Sequence, residues 1–125
     1  MRKRVLVVDD ANLVRLYYRG ILEAAGYVVD EALNGLEALE RLFAIPADLL
    51  IVDINMPHMD GLTFLQTLRR LDLPLSAIPA LVISTESARQ DLAAARAAGT
   101  NFYLTKPVKR EALIEYTALL SGGPD

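Results

Sequence analysis

The chain has 125 residues, 53% of them hydrophobic and 23% charged, which suits one folded domain and excludes a disordered segment. Its net charge of −3 gives no electrostatic case for nucleic acid or an anionic membrane as the main partner. There is no cysteine, which excludes a disulfide framework and a thiolate metal site and fits a reducing compartment.

Short aliphatic runs alternate with helical patterns along the whole chain. Val5–Val8 reads as a first strand and runs straight into Asp9-Asp10. The basic triplet Arg2-Lys3-Arg4 has the charge of a signal-peptide n-region, but the apolar run behind it is too short for an h-region. No segment approaches a membrane span, so a soluble, cytoplasmic protein is expected. A helix is predicted from near Asn12 to Ala25, stopped by Gly26. Val28–Ala32 is a less apolar strand, as a sheet edge would be. Asn34, with Glu37 at capping-box distance, opens a second helix that ends before Pro46. Leu49–Val52 is the third strand and runs into Asp53, and Asp60 caps a helix reaching about Leu71. Ala80–Ile83 is the fourth strand and runs into Ser84-Thr85. Ser87 and Gln90 have capping-box spacing ahead of an alanine-rich helix that stops at Gly99. Phe102–Thr105 is the fifth strand and runs into Lys106-Pro107. Lys109 is a poor cap for a last helix over about Arg110 to Leu120, and Gly122-Gly123-Pro124 reads as a frayed end or the start of a linker.

Five strand–helix units imply an α/β fold with a parallel sheet covered on both faces. In such sheets ligands bind outside the carboxyl ends of the strands. Asp9, Asp10, Asp53, Ser84 and Lys106 should therefore meet along one edge. Taken singly, each has an ordinary reading as a turn, capping or solvated residue. Together they make a kit for a divalent cation and a phosphoryl group. Three crowded carboxylates raise one another's pKa unless a cation relieves them, and Mg²⁺ takes hard oxygen ligands. Asp53, placed centrally, suits an acyl-phosphate nucleophile; Lys106 can neutralise one phosphoryl oxygen and Ser84 can donate to another.

Val7-Val8-Asp9-Asp10, the stretch Asp53-Ile54-Asn55-Met56-Pro57-His58-Met59-Asp60-Gly61, Ser84-Thr85 and Lys106-Pro107 together resemble the receiver domain of two-component response regulators. The resemblance covers essentially the whole chain, with residues 1–121 as the receiver and 122–125 as a flexible tail. It implies a flavodoxin-like fold with strand order 2-1-3-4-5. It implies Asp53 as phosphoacceptor, Asp10 as a direct Mg²⁺ ligand, Asp9 as a ligand through water and the Asn55 backbone carbonyl as another. It also implies a cis Lys106–Pro107 bond. Ser84 and Tyr103 take the family's switch positions: phosphorylation draws Ser84 in, Tyr103 turns inward, and the face of the fourth helix, fifth strand and fifth helix changes shape. Read without the family, Tyr103 is a core aromatic. Asn55 and Glu86 occupy the positions that flank the hydrolytic water, and both are of moderate size, which implies rapid turnover of the phosphoryl group.

Helical geometry adds a docking candidate. On the first helix Val14, Tyr17, Tyr18 and Ile21 form a core-facing stripe, whereas Leu13, Leu16 and Gly20 fall on another face beside the acidic site. That strip suits a helix carrying a phosphohistidine. The leading reading is thus a stand-alone, Mg²⁺-dependent receiver, of chemotaxis type or another single-domain kind. It is phosphorylated by a histidine kinase or histidine phosphotransfer protein and signals to an output protein, with no length left for an output domain. The alternatives are a phosphorelay shuttle and a receiver fragment of a larger regulator. A Mg²⁺ hydrolase lacks its Asp-x-Asp pair and substrate cap, and a nucleotide-binding module lacks its glycine-rich loop after the first strand.

Overall fold

Aliphatic side chains alternate between two cores in each central strand, and that alternation builds the layers. A computed structural model describes residues 2–85 and 89–125, with the side chains of 89–91 left out. The strands are β1 (Arg4–Val8), β2 (Val28–Ala32), β3 (Leu49–Val52), β4 (Ala80–Ser84) and β5 (Phe102–Thr105). They form one five-stranded parallel sheet in the order β2-β1-β3-β4-β5. The helices are α1 (Asn12–Ala24), α2 (Gly35–Ala44), α3 (Gly61–Arg69), α4 (Arg89–Ala97) and α5 (Arg110–Ser121).

Val5 and Val7 of β1 point to one face and Leu6 and Val8 to the other, as a period of two requires. The first face packs with Leu49, Ile51, Leu81 and Ile83 under α1 and α5, through Tyr18, Leu22 and Leu113. The second packs with Leu50, Val52 and Val82 under α2 and α3, through Leu42, Phe64 and Leu68. Burying one fully enclosed leucine, such as Leu22 or Leu68, contributes about 2 kcal/mol. The strand order reverses between β1 and β3, where Val8 pairs with Val52. Asp9 and Asp53 therefore leave adjacent strands at the switch point of the sheet.

Capping follows the expected residues with one difference. Asn34 accepts from the Glu37 N–H at 2.9 Å and Asp60 from the Thr63 N–H at 2.7 Å. The Glu37 carboxylate accepts from the Leu33 N–H at 3.1 Å, one residue ahead of the cap. Lys109 starts α5 with no side-chain cap. The Ser87–Gln90 capping box lies outside the described residues.

Three expectations need correction. Tyr17 is half exposed, because the buried stripe of α1 is rotated to Arg15, Tyr18, Ile21 and Leu22. β5 is no buried strand: among the described residues only β4 pairs with it, and Phe102 and Thr105 are exposed. α3 ends at Arg69, not Leu71, and a one-turn 3-10 helix at Leu75–Ala77 follows a cis Leu73–Pro74 bond. In the 122–125 stretch the Lys3 N–H donates to the Pro124 carbonyl at 2.8 Å, and Pro124 lies beside Gly26. No helix among the described residues is long and apolar enough to cross a membrane.

Candidate functional site

The turn after β1 brings its two carboxylates to the sheet edge at different depths. Asp9 is buried and Asp10 is exposed. The Asp9 N–H donates to the Ala32 carbonyl at 3.1 Å, extending the β1–β2 ladder by one residue. The Asp53 N–H donates to the Val8 carbonyl at 2.9 Å and does the same between β1 and β3. Ligand oxygens of Asp9, Asp10 and Asp53 lie within 4.8 Å of one another.

Lys106 completes the cluster from β5. Its Nζ donates to Asp9 Oδ2 at 3.1 Å and stands 3.7 Å from Asp53 Oδ1. The Lys106 N–H donates to the Ser84 carbonyl at 2.8 Å, which ties the lysine to the end of β4, and the Lys106–Pro107 bond is cis. Ser84 is fully buried at that end, in register with Thr105.

One ammonium does not balance three carboxylates. Burial, then the neighbouring Asp9 charge, push the Asp53 carboxyl from 3.8 up to about 6, against the pull of Lys106. The same charges act on Tyr18, buried beneath them: burial first, then Asp9 and Asp53, push its phenol up. Three hard oxygen donors with excess negative charge are the donor set a Mg²⁺ ion takes, so the residues present fit that ion.

The β3–α3 connection is built around the Asp53 backbone. The Gly61 N–H donates to the Ile54 carbonyl at 2.8 Å, and a Cβ at Gly61 would lie 2.1 Å from the Asp53 carbonyl oxygen. Only glycine allows that approach. His58 sits at φ 67°, and the Met59 carbonyl accepts the Gly35 N–H at 3.0 Å from the start of α2. Asn55 is exposed in this loop, two residues past Asp53. Glu86 lies outside the described residues.

One recess opens beside Lys106, and a second lies away from the cluster. Leu13, 79% exposed, lines one with Val14, Tyr17, Lys106, Pro107 and Val108, a mainly apolar hollow of about 330 Å³. Leu16 is exposed on the same helix but lies outside that lining. The other recess is lined by Leu92, Ala95, Arg96, Thr100, Phe102 and Tyr103, between α4 and β5. Tyr103 is half-buried there, and Phe102 packs on Tyr116 of α5 with ring centres 4.5 Å apart. The structure thus brings Asp9, Asp10, Asp53 and Lys106 together, sets Ser84 beside them, and leaves Tyr103 and Leu16 on other surfaces. Tyr18 is in the core, as its place in the helical stripe implied, whereas Arg15, whose guanidinium donates to the Asp9 carbonyl, was not singled out in the sequence. The available signal for Arg15 was a cation in the first turns of a helix that has no acid there.

Comparison with known proteins places this arrangement. Residues 5–118 match the family model of the response regulator receiver domain. The chain is 36% identical to chemotaxis protein CheY1 of Helicobacter pylori over 124 residues, 98% of this chain and 99% of that protein. It is 43% identical over 105 residues to a protein-glutamate methylesterase/protein-glutamine glutaminase of Archaeoglobus fulgidus, covering 83% of this chain but only 30% of that longer protein. Among solved structures, the Vibrio cholerae chemotaxis protein CheY4 superposes with a TM-score of 0.89 at 30% identity, over 96% of this chain and 99% of the other.

Proposed function

This chain belongs to the response regulator receiver family, and we propose that it is a stand-alone receiver that takes a phosphoryl group from a phosphohistidine onto Asp53. A receiver domain is a phosphoacceptor in two-component signalling and not an enzyme with a separate substrate. The observation that carries the reading is the Lys106 ammonium set between Asp9 and Asp53 within a three-carboxylate cluster.

In the transfer, an Asp53 carboxylate oxygen attacks phosphorus in line. The P–N bond to the donor imidazole breaks, and its electron pair stays on the ring nitrogen. Asp53 acts as the carboxylate, the form favoured above about pH 6. Asp10, Asp53, the Asn55 carbonyl and, through water, Asp9 would hold a Mg²⁺ ion, which would supply positive charge to the phosphoryl oxygens. Lys106 neutralises a second phosphoryl oxygen, and the Ser84 hydroxyl donates to the third. Water entering past Asn55 later attacks the same phosphorus, breaks its bond to Asp53 and releases phosphate quickly.

Leu13 and Leu16, with the hollow beside Lys106, receive the helix of a histidine kinase or histidine phosphotransfer protein. The Ser84–Tyr103 switch reshapes the α4-β5-α5 face for an output protein. The likeness to CheY1 and CheY4 supports a cytoplasmic, chemotaxis-type or other single-domain regulator. The test is phosphotransfer from a labelled histidine phosphotransfer domain. Label should reach the parent protein with Mg²⁺ present and should not reach Asp53→Asn. Equal labelling of both proteins removes Asp53 from the role.

A further inference from the structure

One buried arginine has no part in the reading above. Arg15 lies in the first turns of α1 and is 7% exposed. A cation near a helix N-terminus opposes the helix dipole, and a buried charge persists only when paired. All three guanidinium nitrogens of Arg15 have partners. Nε donates to Glu31 Oε1 at 2.9 Å, Nη1 to the Asp9 backbone carbonyl at 2.7 Å, and Nη2 to Asn12 Oδ1 at 3.0 Å. The group is planar and rigid, so it fixes these acceptors relative to one another. They come from the edge strand β2, the turn after β1 and the start of α1.

Glu31 is itself held from two sides. Arg19 Nη1 also donates to it, and Arg19 pairs with Glu23 one turn further along α1. Burial alone would raise the Glu31 carboxyl, but hydrogen bonds from Arg19 and Arg15 outweigh it and hold the group below the usual carboxylate range. It is therefore a fixed anion on which Arg15 is braced.

The consequence falls on the peptide between Asp9 and Asp10. Arg15 holds the Asp9 carbonyl. The Asp9 carboxylate accepts from the Ala11 N–H at 2.9 Å and from Lys106. With both ends of Asp9 fixed, the link to Asp10 keeps one orientation, and exposed Asp10 is held near the other two carboxylates. The helix supplies no such control, since its N-cap, Ala11, makes no side-chain cap bond. We propose that Arg15, braced by Glu31, is the positioning residue of the Asp9–Asp10 pair and presets its geometry for a divalent cation. This rests on the metal-site reading above.

The test is a Mg²⁺ titration by NMR, with thermal unfolding of each protein in chelator measured alongside. Arg15→Lys keeps the charge and loses the fork. It should bind Mg²⁺ about tenfold more weakly, the effect expected when a group that orients a ligand is lost. In the metal-free protein the Asp10 and Ala11 amide signals should also shift or broaden. Glu31→Gln leaves Nη1 on Asp9 and should weaken binding less than Arg15→Lys, which keeps the question open to measurement if Arg15→Lys folds poorly. Affinities within about twofold of the parent in both variants, whatever their melting temperatures, would mean that Arg15 is a structural brace only and would overturn the inference. A parent protein that binds no Mg²⁺ would instead overturn the metal-site reading and this inference with it.

Discussion

Replacing Asp53 with asparagine should stabilise the metal-free protein, and more so as the pH rises. Burial and the Asp9 charge raise the Asp53 carboxyl from 3.8 to about 6 in the folded state. The folded protein therefore holds this proton more tightly than the unfolded chain. The resulting stabilisation is fully present below about pH 3.8 and is lost as the pH rises through about 6. At full strength the gap is worth about 3 kcal/mol. The site lies at an open sheet edge, where water and salt screen the charges, so about 1–2 kcal/mol is the better figure. The substituted amide cannot ionise and escapes the loss. The assay is thermal unfolding of Asp53→Asn and the parent in chelator across that range. The melting temperatures should nearly coincide at about pH 3.5 and separate by roughly 3–8 °C, variant above parent, at about pH 7.5. Titrating groups remote from the cluster are common to both proteins and cancel in the difference. A gap that does not change with pH would refute the claim that crowded charge at Asp53 strains the fold.

Asp10→Ala removes an exposed carboxylate of the cluster, so Mg²⁺ binding followed by NMR should weaken about tenfold or more while the metal-free fold holds or gains stability. Gly61→Ala would set a Cβ 2.1 Å from the Asp53 carbonyl oxygen and 3.0 Å from Val52 Cγ1. The backbone must shift to relieve this, so denaturant melts should show a loss of roughly 1–3 kcal/mol, and phosphoryl uptake should slow through displaced Asp53. Unchanged uptake would show that the loop tolerates the shift. Ser84→Ala should still accept a phosphoryl group, yet Tyr103 resonances should no longer respond to it, because the hydroxyl supplies the differential contact between the two states. Identical Tyr103 shifts in both proteins would uncouple the pair.

The parts of this molecule visible in its sequence are those carried by local pattern. Val5–Val8, Leu49–Val52 and Ala80–Ile83 announce buried strands by composition, and the polar residue after each marks the sheet edge where it ends up. Asn34 and Asp60 announce helix starts through side chains that reach only three residues along. The strand order is not a local property and came from the family resemblance. So did the expectation of a cis Lys106–Pro107 bond. Where an outcome depends on neighbours, pattern fails. β5 has a strand's sequence, but its exposure is set by having, among the described residues, no strand on its far side. Tyr17 fits a helical stripe as well as Tyr18 does, and only the docking angle of α1 decides which is buried. Arg15 and Glu31 are 16 positions apart and meet because β2 runs beside β1. Pro124 meets Lys3 across nearly the full chain length. Each of these contacts follows from topology rather than from any short stretch of residues.

The function proposed for this protein turns on Asp53 as the phosphoacceptor of the carboxylate cluster. Its most direct test is site mapping after treatment with a small phosphodonor and Mg²⁺. Borohydride reduction traps an aspartyl phosphate as homoserine, and peptide mass spectrometry then locates it. Homoserine should appear at position 53 alone, dependent on donor and Mg²⁺. Homoserine at position 9 or 10, or phosphate recovered on a hydroxyl side chain with position 53 unmodified, would contradict it.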